Sequence, residues 1–319
     1  MDKSKIWILL ILIGIMAQPG LCQNPFKSIR IEEVLSIGSL DDDLIFFLTS
    51  VAVDDKGFIY LLDSLDYSIK KFDKQGSLVS QAGGKGQGPG EFQFPVIVKF
   101  ADNKLYVVDQ NRSGIQVFDN NLLYQGHISY PGPIFDLEVT RDNRIFILSP
   151  SIGESPPILQ INNPESSISS SFEKNKEEFF KLFGKFVLDS QGNMYFMSSF
   201  EDHVGKYDKD RRLIWKKMLL GGKRSKYKYS EVSKHNIPTE MIYKDIALDK
   251  YGNLFVLGGN ASENPNRDVY VLDNKGNYLT TFILQEPSHF LTIDHENFLY
   301  VKEAEGTALK KYFLEYVKK

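Results

Sequence analysis

The sequence predicts an all-β fold, a six-bladed β-propeller of four-stranded antiparallel blades. A unit of four short strands recurs along the chain, and a tight Asp/Asn/Gly turn followed by an apolar-aromatic strand marks each copy. The aspartates that align at these turns are Asp54, Asp102, Asp142, Asp189, Asp249 and Asp294. Their separations are 48, 40, 47, 60 and 45 residues. A four-stranded unit of this length buries its faces when copies pack radially around a channel, as propeller blades do.

The clearest copy of the unit lies at 94–129. Its four β-branched and aromatic runs occupy 96–100, 105–109, 114–119 and 122–129, with turn signals between them. The second run is apolar at consecutive positions, as at Val107-Val108, which is expected of a sheet covered on both faces. No segment of the repeats shows sustained 3.6-residue periodicity, which excludes a helical solenoid.

The last repeat is one strand short. It offers strands at 290–293, 298–301 and 309–316, whereas Ser28–Leu35 alternates like a strand before the first repeat. We therefore expect this N-terminal strand to complete the last blade, which closes the ring and removes an exposed sheet edge.

Residues 1–22 have the layout of a secretory signal peptide. Lys3 and Lys5 precede an apolar run at 6–17, and small residues follow before a predicted cut at Gln23. The run is too short to span a bilayer. An alternative is a lipid anchor on Cys22, although Leu21 fits the lipoprotein box poorly, so plain cleavage is preferred. We thus expect one propeller domain at 23–319, monomeric and without a transmembrane helix, that is periplasmic, envelope-associated or secreted.

Composition excludes several classes of function. The chain has 38 basic and 41 acidic side chains, a net charge of −3, which gives no signal for binding nucleic acid. Its only cysteine is Cys22, so disulfides, thiolate zinc sites and cysteine nucleophiles are not expected. We predict no cofactor, no bound metal and no catalytic residue.

The segment Gly114-Ile115-Gln116-Val117-Phe118-Asp119, after Leu105-Tyr106-Val107-Val108-Asp109, resembles an NHL repeat. The glycine-rich segment 83–92 is similar to the linker of exported bacterial six-bladed propellers of that superfamily. The resemblance spans 28–319 and is sharp in the first two repeats. It implies the fold and export but hardly an activity, because the fold hosts binders, lyases and lactonases alike.

Long loops are expected on one face of the disc, where the b–c and d–a connections lie. Such loops on a rigid scaffold are where binding and catalysis concentrate. Asp63 and Asp109 are interpreted as bonding their own loop backbones. The glycine-rich segment lacks the spacing of a phosphate loop and is interpreted as a flexible linker. The candidate ligand- or partner-binding residues on this face are Tyr67, Arg112, Glu201, Asp202, His203, His235 and Arg267.

The preferred function is therefore an exported, non-enzymatic binding propeller for a protein, peptide or glycan. The alternative is a metal-assisted hydrolase or lyase at the channel mouth, for which His203, His235 and His289 are the available imidazoles. A purely structural envelope role is the third reading.

Overall fold

The computed structural model describes residues 26–149, 158–160, 183–231 and 235–318, and every regular element within these ranges is a β-strand. The predicted signal peptide at 1–22 and the alternative lipid anchor on Cys22 lie outside these ranges. So do most residues of two long loops predicted on one face of the disc, 149–157 and 171–184. Strands are numbered in chain order below.

The first strand is β1 (Phe26–Ile37). The first two sheets are β2 (Leu48–Val53), β3 (Ile59–Asp63), β4 (Ser68–Phe72) and β5 (Leu78–Gly83), then β6 (Pro95–Ala101), β7 (Lys104–Asp109), β8 (Ile115–Asp119) and β9 (Tyr124–Ile128). The third sheet has the strands β10 (Asp136–Val139), β11 (Ile145–Leu148) and β12 (Ile158–Gln160).

The fourth sheet is β13 (Gly184–Leu188), β14 (Met194–Ser198), β15 (Val204–Tyr207) and β16 (Leu213–Lys217). A separate hairpin follows, β17 (Tyr227–Ser230) with β18 (His235–Pro238). The fifth sheet is β19 (Tyr243–Leu248), β20 (Leu254–Gly258), β21 (Asp268–Leu272) and β22 (Tyr278–Ile283). The last contains β23 (Leu291–Ile293), β24 (Phe298–Lys302) and β25 (Leu309–Lys318), with β1 as its outer strand.

The turn aspartates work as local caps. Asp54 accepts hydrogen bonds through Oδ1 from the backbone N–H groups of Lys56 and Phe58, both at 2.9 Å. The same bonds, to the second and fourth residues ahead, recur at Asp73, Asp119, Asp189, Asp208, Asp249 and Asp273. This capping explains why aspartate begins these turns.

The turns of the second and third repeats differ from the predicted alignment. In the third repeat the cap is Thr140, whose Oγ1 accepts from the N–H of Arg144 at 3.1 Å, and Asp142 lies inside the turn. In the second repeat Asp102 is a central residue of a two-residue hairpin turn, with a φ of 49°. The spacing of 40 residues between these two aspartates therefore compares positions that are not structurally equivalent.

The hydrophobic core lies between sheets rather than within them. Tyr60 and Leu62 of the first sheet pack with Val98 and Leu105 of the second, and a comparable cluster joins each further pair of consecutive sheets. Ile59 and other residues of the first sheet pack against Tyr300 and Leu309 of the last. Facing sheets that bury both surfaces in this way form a β-propeller.

The predicted six four-stranded blades are only partly present. Among the described residues five sheets have four strands, and the third repeat contributes three. Since the fourth strand of that repeat is not among these residues, five complete blades are shown, and the predicted count of six is not.

The N-terminal strand pairs with the C-terminal one. β1 runs antiparallel to β25, with Ile29 opposite Tyr316 and Ile37 opposite Leu309. The Tyr316 hydroxyl donates to Asp249 Oδ2 at 2.6 Å, across to the fifth sheet. This places residues 26–37 beside the last strand of the chain.

The hairpin β17–β18 accounts for the long separation of 60 residues between the fourth and fifth turn aspartates. It contains part of a run of basic and aromatic residues at 223–229. Tyr227 and Tyr229 are about half exposed on it. Within the described part of the chain, no helix is present that is long and apolar enough to cross a membrane.

Candidate functional site: the central channel

The innermost strand of each of the six sheets lines a central cavity of about 290 Å³. These strands are β2, β6, β10, β13, β19 and β23. Most of their residues are apolar, but five charged side chains open into the cavity. They are Lys99, Asp136, Glu138, Lys185 and Asp245.

The strand registers arrange these charges in two layers. One layer contains Asp136, Lys185 and Asp245. Each lies opposite the fourth residue of the second strand of its own sheet, namely Leu148, Met197 and Leu257. The other layer contains Lys99 and Glu138, which lie opposite Tyr106 and Phe146. Glu138 is two residues after Asp136 in β10. Two residues of a strand span about 6.6 Å, so the layers are separated by roughly that distance along the channel.

Four of the charges form ion pairs between neighbouring sheets. Lys99 Nζ lies 2.7 Å from Glu138 Oε1, and Lys185 Nζ lies 3.3 Å from Asp136 Oδ1. Burial opposes the charged form of Lys99, but the carboxylates of Glu138 and Asp136 outweigh it and raise the pKa of Lys99. The other carboxylate oxygen of Asp136 accepts from the N–H of Phe186 at 2.9 Å, which fixes its orientation.

Asp245 is the fifth charge. Its carboxylate accepts from the N–H groups of Leu291 and Ile246, both at 3.0 Å. Burial raises its pKa to about 6; Lys185 and Lys99 oppose this rise, whereas Asp136 adds to it. A carboxyl group with this pKa changes its charge near neutral pH.

A histidine also lines the cavity. His289 lines the cavity, and burial together with the charges of Lys244 and Lys302 lowers its pKa to about 4. Lys302 Nζ donates to the carbonyl of Leu48 at 3.3 Å and lies 4.4 Å from the centre of the Phe47 ring. His289 is therefore neutral at pH 7 beside two lysines.

The candidate residues in the first two repeats hold loops in place. The Arg112 guanidinium donates to the carbonyls of Gly88 and Glu91 at 2.8 and 3.1 Å, which ties down the glycine-rich segment. Gly86 and Phe92 also bond across this segment, so it is a hydrogen-bonded loop rather than the flexible linker predicted. Tyr67, at a φ of 55°, accepts from Gly84 N–H through its carbonyl and packs against the core.

Asp202 has a structural role that the sequence did not reveal. It is 5% exposed, and its carboxylate accepts from the backbone N–H groups of Leu219, Leu220 and Gly222 at 2.7–2.8 Å. The hydroxyl of Tyr243 donates to it as well. This carboxylate is fully engaged in organising the loop after β16.

The remaining candidates do not converge on one point. Glu201 makes a backbone bridge to Arg224, and Arg267 Nε donates to the Leu284 carbonyl at 2.8 Å. His203 lies edge-on to Phe196 and within 3.4 Å of the Tyr207 hydroxyl, and burial lowers its pKa to about 4. His235 pairs with Ser230 in the separate hairpin. No three His, Cys, Asp or Glu side chains of the described ranges are grouped as a metal site.

Two interpretations of loop aspartates are confirmed. In its own loop Asp63 accepts from the N–H groups of Leu65 and Asp66, and Asp109 accepts from that of Asn111. Asp63 also accepts from the N–H groups of Phe46 and Phe47, and Asp109 from those of Gln93 and Phe94. Both bind the loop that precedes the first strand of their own sheet.

A second, more open cavity of about 440 Å³ lies beside Arg112. Its other lining residues are Gln87, Gln93, Asn111, Ser113, His127 and Ser129, all polar. Arg112, a predicted ligand-binding residue of the loop-rich face, thus lines a cavity. Its guanidinium, however, already donates to two loop carbonyls.

The candidate residues predicted from the sequence do not include the five channel charges. A signal was present, because each charge interrupts an apolar first strand. Lys99 follows Val96-Ile97-Val98, Glu138 lies between Leu137 and Val139, and Asp245 precedes Ile246-Ala247. A charge at such a position is costly unless it is paired or used.

No protein-family model matches the sequence, and no curated protein matches it. Solved structures do resemble it. A presumed exported protein of Bacteroides fragilis aligns with a TM-score of 0.61 at 12% identity, over 91% of this chain and 96% of that one. The β-propeller domain of Myceliophteria thermophila Cps50 (Swd1) aligns with a TM-score of 0.54 at 11% identity, over 89% and 99%.

Virginiamycin B lyase of Staphylococcus aureus aligns with a TM-score of 0.52 at 9% identity, over 90% of this chain and 100% of that one. Identities this low show a shared β-propeller fold and nothing about activity.

Proposed function

We propose that the protein is an exported, non-enzymatic binding propeller whose ligand enters the central channel from the loop-rich face. The observation that carries this proposal is the group of five charged side chains around a cavity of about 290 Å³. Desolvating charges costs several kcal/mol per ion, and even well-formed buried pairs recover it only in part. Apolar residues would fill a channel that serves only as scaffold, so the charges support a binding role.

The proposal includes the finer architecture. The three-stranded sheet is the described part of a sixth blade, and β1 closes the ring by completing the last blade. Support comes from the apolar clusters between consecutive sheets and between the last sheet and the first. The chain acts as a monomer. Export rests on the signal-peptide layout of residues 1–22, and the protein is placed in the periplasm, at the envelope or outside the cell.

A metal-assisted hydrolase or lyase is not proposed. His203 packs against aromatic rings, His235 belongs to the separate hairpin, and His289 lies at the channel beside two lysines. No feature of the described residues favours that chemistry over binding.

The test is a thermal-shift screen of sugars, carboxylic acids, amines and short peptides. The channel variant is Lys99→Met with Glu138→Gln, which removes an ion pair of the cavity without changing net charge. The matched control is Lys74→Met with Glu296→Gln, an exposed ion pair at 3.4 Å elsewhere on the surface. A compound that stabilises the native protein and the control, but not the channel variant, supports the proposal. If every stabilising compound acts equally on all three proteins, the channel is not the site.

A further inference from the structure

Three exposed apolar side chains lie together on the loop-rich face, around one buried carboxylate. The carboxylate of Asp63 accepts from the backbone N–H groups of Phe46, Phe47 and Leu65 at 2.8, 3.0 and 3.2 Å. Asp63 itself is 0% exposed, whereas these three residues are 44%, 38% and 62% exposed. Apolar side chains that are exposed singly are ordinary, but a group of them on one surface is typical of an interaction site.

The backbone beneath these side chains is held from the inside. Lys70 is 2% exposed, and its Nζ lies 3.0 Å from Asp63 Oδ2 and donates to the carbonyl of Leu44 at 2.8 Å. A buried ion pair carries a desolvation cost. Here the pair joins the loop before β2 to the loop after β3, yet the apolar side chains of those loops still face solvent. A surface fixed in this way needs little ordering when a partner binds.

The chain segments that form this surface are acidic. They are 38–47, 64–67 and 303–307, and together they contain six acidic residues and no basic one. The first and second segments are joined by the hydrogen bonds to the buried carboxylate. The third lies against the first, because a Cβ atom placed on Gly306 would be 3.2 Å from the Phe47 ring. The three segments therefore form one continuous surface.

The lysines next to this surface do not cancel its charge. Lys70 lies 5.3 Å from the centre of the Phe46 ring, and Lys302 lies 4.4 Å from that of Phe47. Both lysines are buried, and Lys70 is paired with Asp63. Together with Asp63, seven carboxylates stand against two lysines, which leaves a formal net charge of −5. The acidic residues that are exposed on the rim are Asp41, Asp42, Asp43 and Glu305.

These features select the chemistry of a partner. A negative rim attracts cationic side chains and repels anionic surfaces such as nucleic acid or acidic lipid. Exposed phenylalanine and leucine side chains are removed from water when aliphatic or aromatic side chains cover them. A segment that carries both cationic and apolar side chains matches the surface.

We propose that Phe46, Phe47 and Leu65 form a docking surface for a basic, apolar peptide segment of a partner protein. The apolar side chains of the segment cover these three residues, and its lysine or arginine side chains face the acidic rim. The inference does not depend on which ligand the channel takes.

A library of random heptapeptides, selected for binding to the native protein, tests the inference. We expect the selected sequences to be enriched in lysine or arginine together with leucine or aromatic residues. Their affinity should decrease from low to physiological ionic strength, because salt screens exposed charges. Selection of acidic or wholly polar sequences would overturn the inference, and so would a selection that enriches no sequence.

Two double substitutions test the two halves of the surface with the tightest selected peptide. Phe46→Ser with Leu65→Ser should weaken binding at least about tenfold, as for residues at the centre of an interface. Asp41→Asn with Asp43→Asn should weaken it about threefold to tenfold and reduce its dependence on salt. All four side chains are exposed, so the fold should be retained, which unaltered circular dichroism spectra verify.

The matched controls alter the same residue types elsewhere on the surface. Phe313 and Leu123 are 42% and 61% exposed, so Phe313→Ser with Leu123→Ser matches the apolar variant. Asp55→Asn with Asp210→Asn matches the acidic one, since both aspartates are exposed. Both controls should leave the affinity unchanged, and a control that weakens binding as much as its test variant would contradict the docking surface.

The channel variant Lys99→Met with Glu138→Gln separates this inference from the proposed function. It should bind the peptide as the native protein does, even if no compound proves to depend on the channel. Loss of peptide binding in that variant would move the peptide to the channel and overturn the docking surface, while leaving the proposed function in place. Vesicles of acidic lipid are the last comparison, and binding to them that Phe46→Ser with Leu65→Ser abolishes would assign the surface to a membrane instead.

Discussion

Asp245→Asn should make the stability of the protein less dependent on pH. Burial raises the pKa of Asp245 from the ordinary value of 3.8 to about 6. The native state therefore holds this proton more tightly than the unfolded state does. As pH rises through the interval between the two values, the unfolded chain loses its proton first, and the native state is destabilised relative to it.

The magnitude follows from the two pKa values. A difference of roughly two pH units between them corresponds to about 3 kcal/mol above pH 7, because each unit is worth 1.36 kcal/mol. Between about pH 4.5 and 7.5 the native protein should lose about 2 kcal/mol from this group. The N–H groups of Leu291 and Ile246 bond to different oxygens of Asp245, so an asparagine can accept from one of them and loses the other bond at every pH. It carries no charge, so the variant should not show the loss of about 2 kcal/mol that depends on pH.

The assay is urea unfolding of both proteins at several pH values across this range. The difference in unfolding free energy, variant minus native, should increase with pH by about 2 kcal/mol and level off above pH 7. Taking the difference cancels carboxylates that titrate equally in both proteins.

Several charged or titratable groups near Asp245 can affect its pKa. They are Lys185 of β13, Asp136 and Glu138 of β10 and Lys99 of β6, with His289 before β23 and Lys244 beside it in β19. A difference that stays constant with pH, or that decreases as pH rises, would refute the assigned burial of this carboxyl group.

Three further predictions concern features that hold the fold. Asp202→Ala should lower the unfolding free energy by about 3 kcal/mol, because it leaves three backbone N–H groups and the Tyr243 hydroxyl without their acceptor; Asp202→Asn should cost less in the same urea titration. Arg112→Ala should speed hydrogen exchange in the glycine-rich loop at 84–92 with little change in the melting temperature, whereas exchange limited to other segments would contradict its role as a clamp. Deleting residues 26–37 should expose the edge of β25 and promote association at micromolar concentration, measured by light scattering, and a variant that stays monomeric with an unchanged melting temperature would contradict the pairing assigned to β1.

The sequence revealed the strands better than it revealed the site. Turn aspartates such as Asp54 and Asp249 predict strand boundaries because their capping bonds are local, involving residues two and four positions ahead. Where another residue takes over the cap, as Thr140 does, the alignment shifts. The pairing of β1 with β25 was also predictable, because one repeat lacks a strand and an unassigned strand precedes the first.

The site was not predictable by the same means, because its residues meet only in three dimensions. Lys99, Asp136 and Asp245 come from three sheets that the fold brings together, and neither Lys99 nor Asp136 has its ion-pair partner nearby in sequence. The residues predicted to bind a ligand do lie at loops, but Asp202 and Arg112 bond to the loop backbone instead. Asp202, for example, is indistinguishable from a ligand-binding aspartate until the loop it organises is seen.

The pairing of β1 with β25 has a consequence for how the chain reaches its native state. The two strands are separated by nearly the whole sequence, so their contacts are among the most non-local in the molecule. Bringing such distant segments together costs loop-closure entropy, and folds rich in such contacts form slowly. Residues 26–37 leave the ribosome early, yet they have no strand to pair with until residues 309–318 have been made. The sheet that joins the two ends is therefore expected to form late, after the intervening hairpins have paired locally.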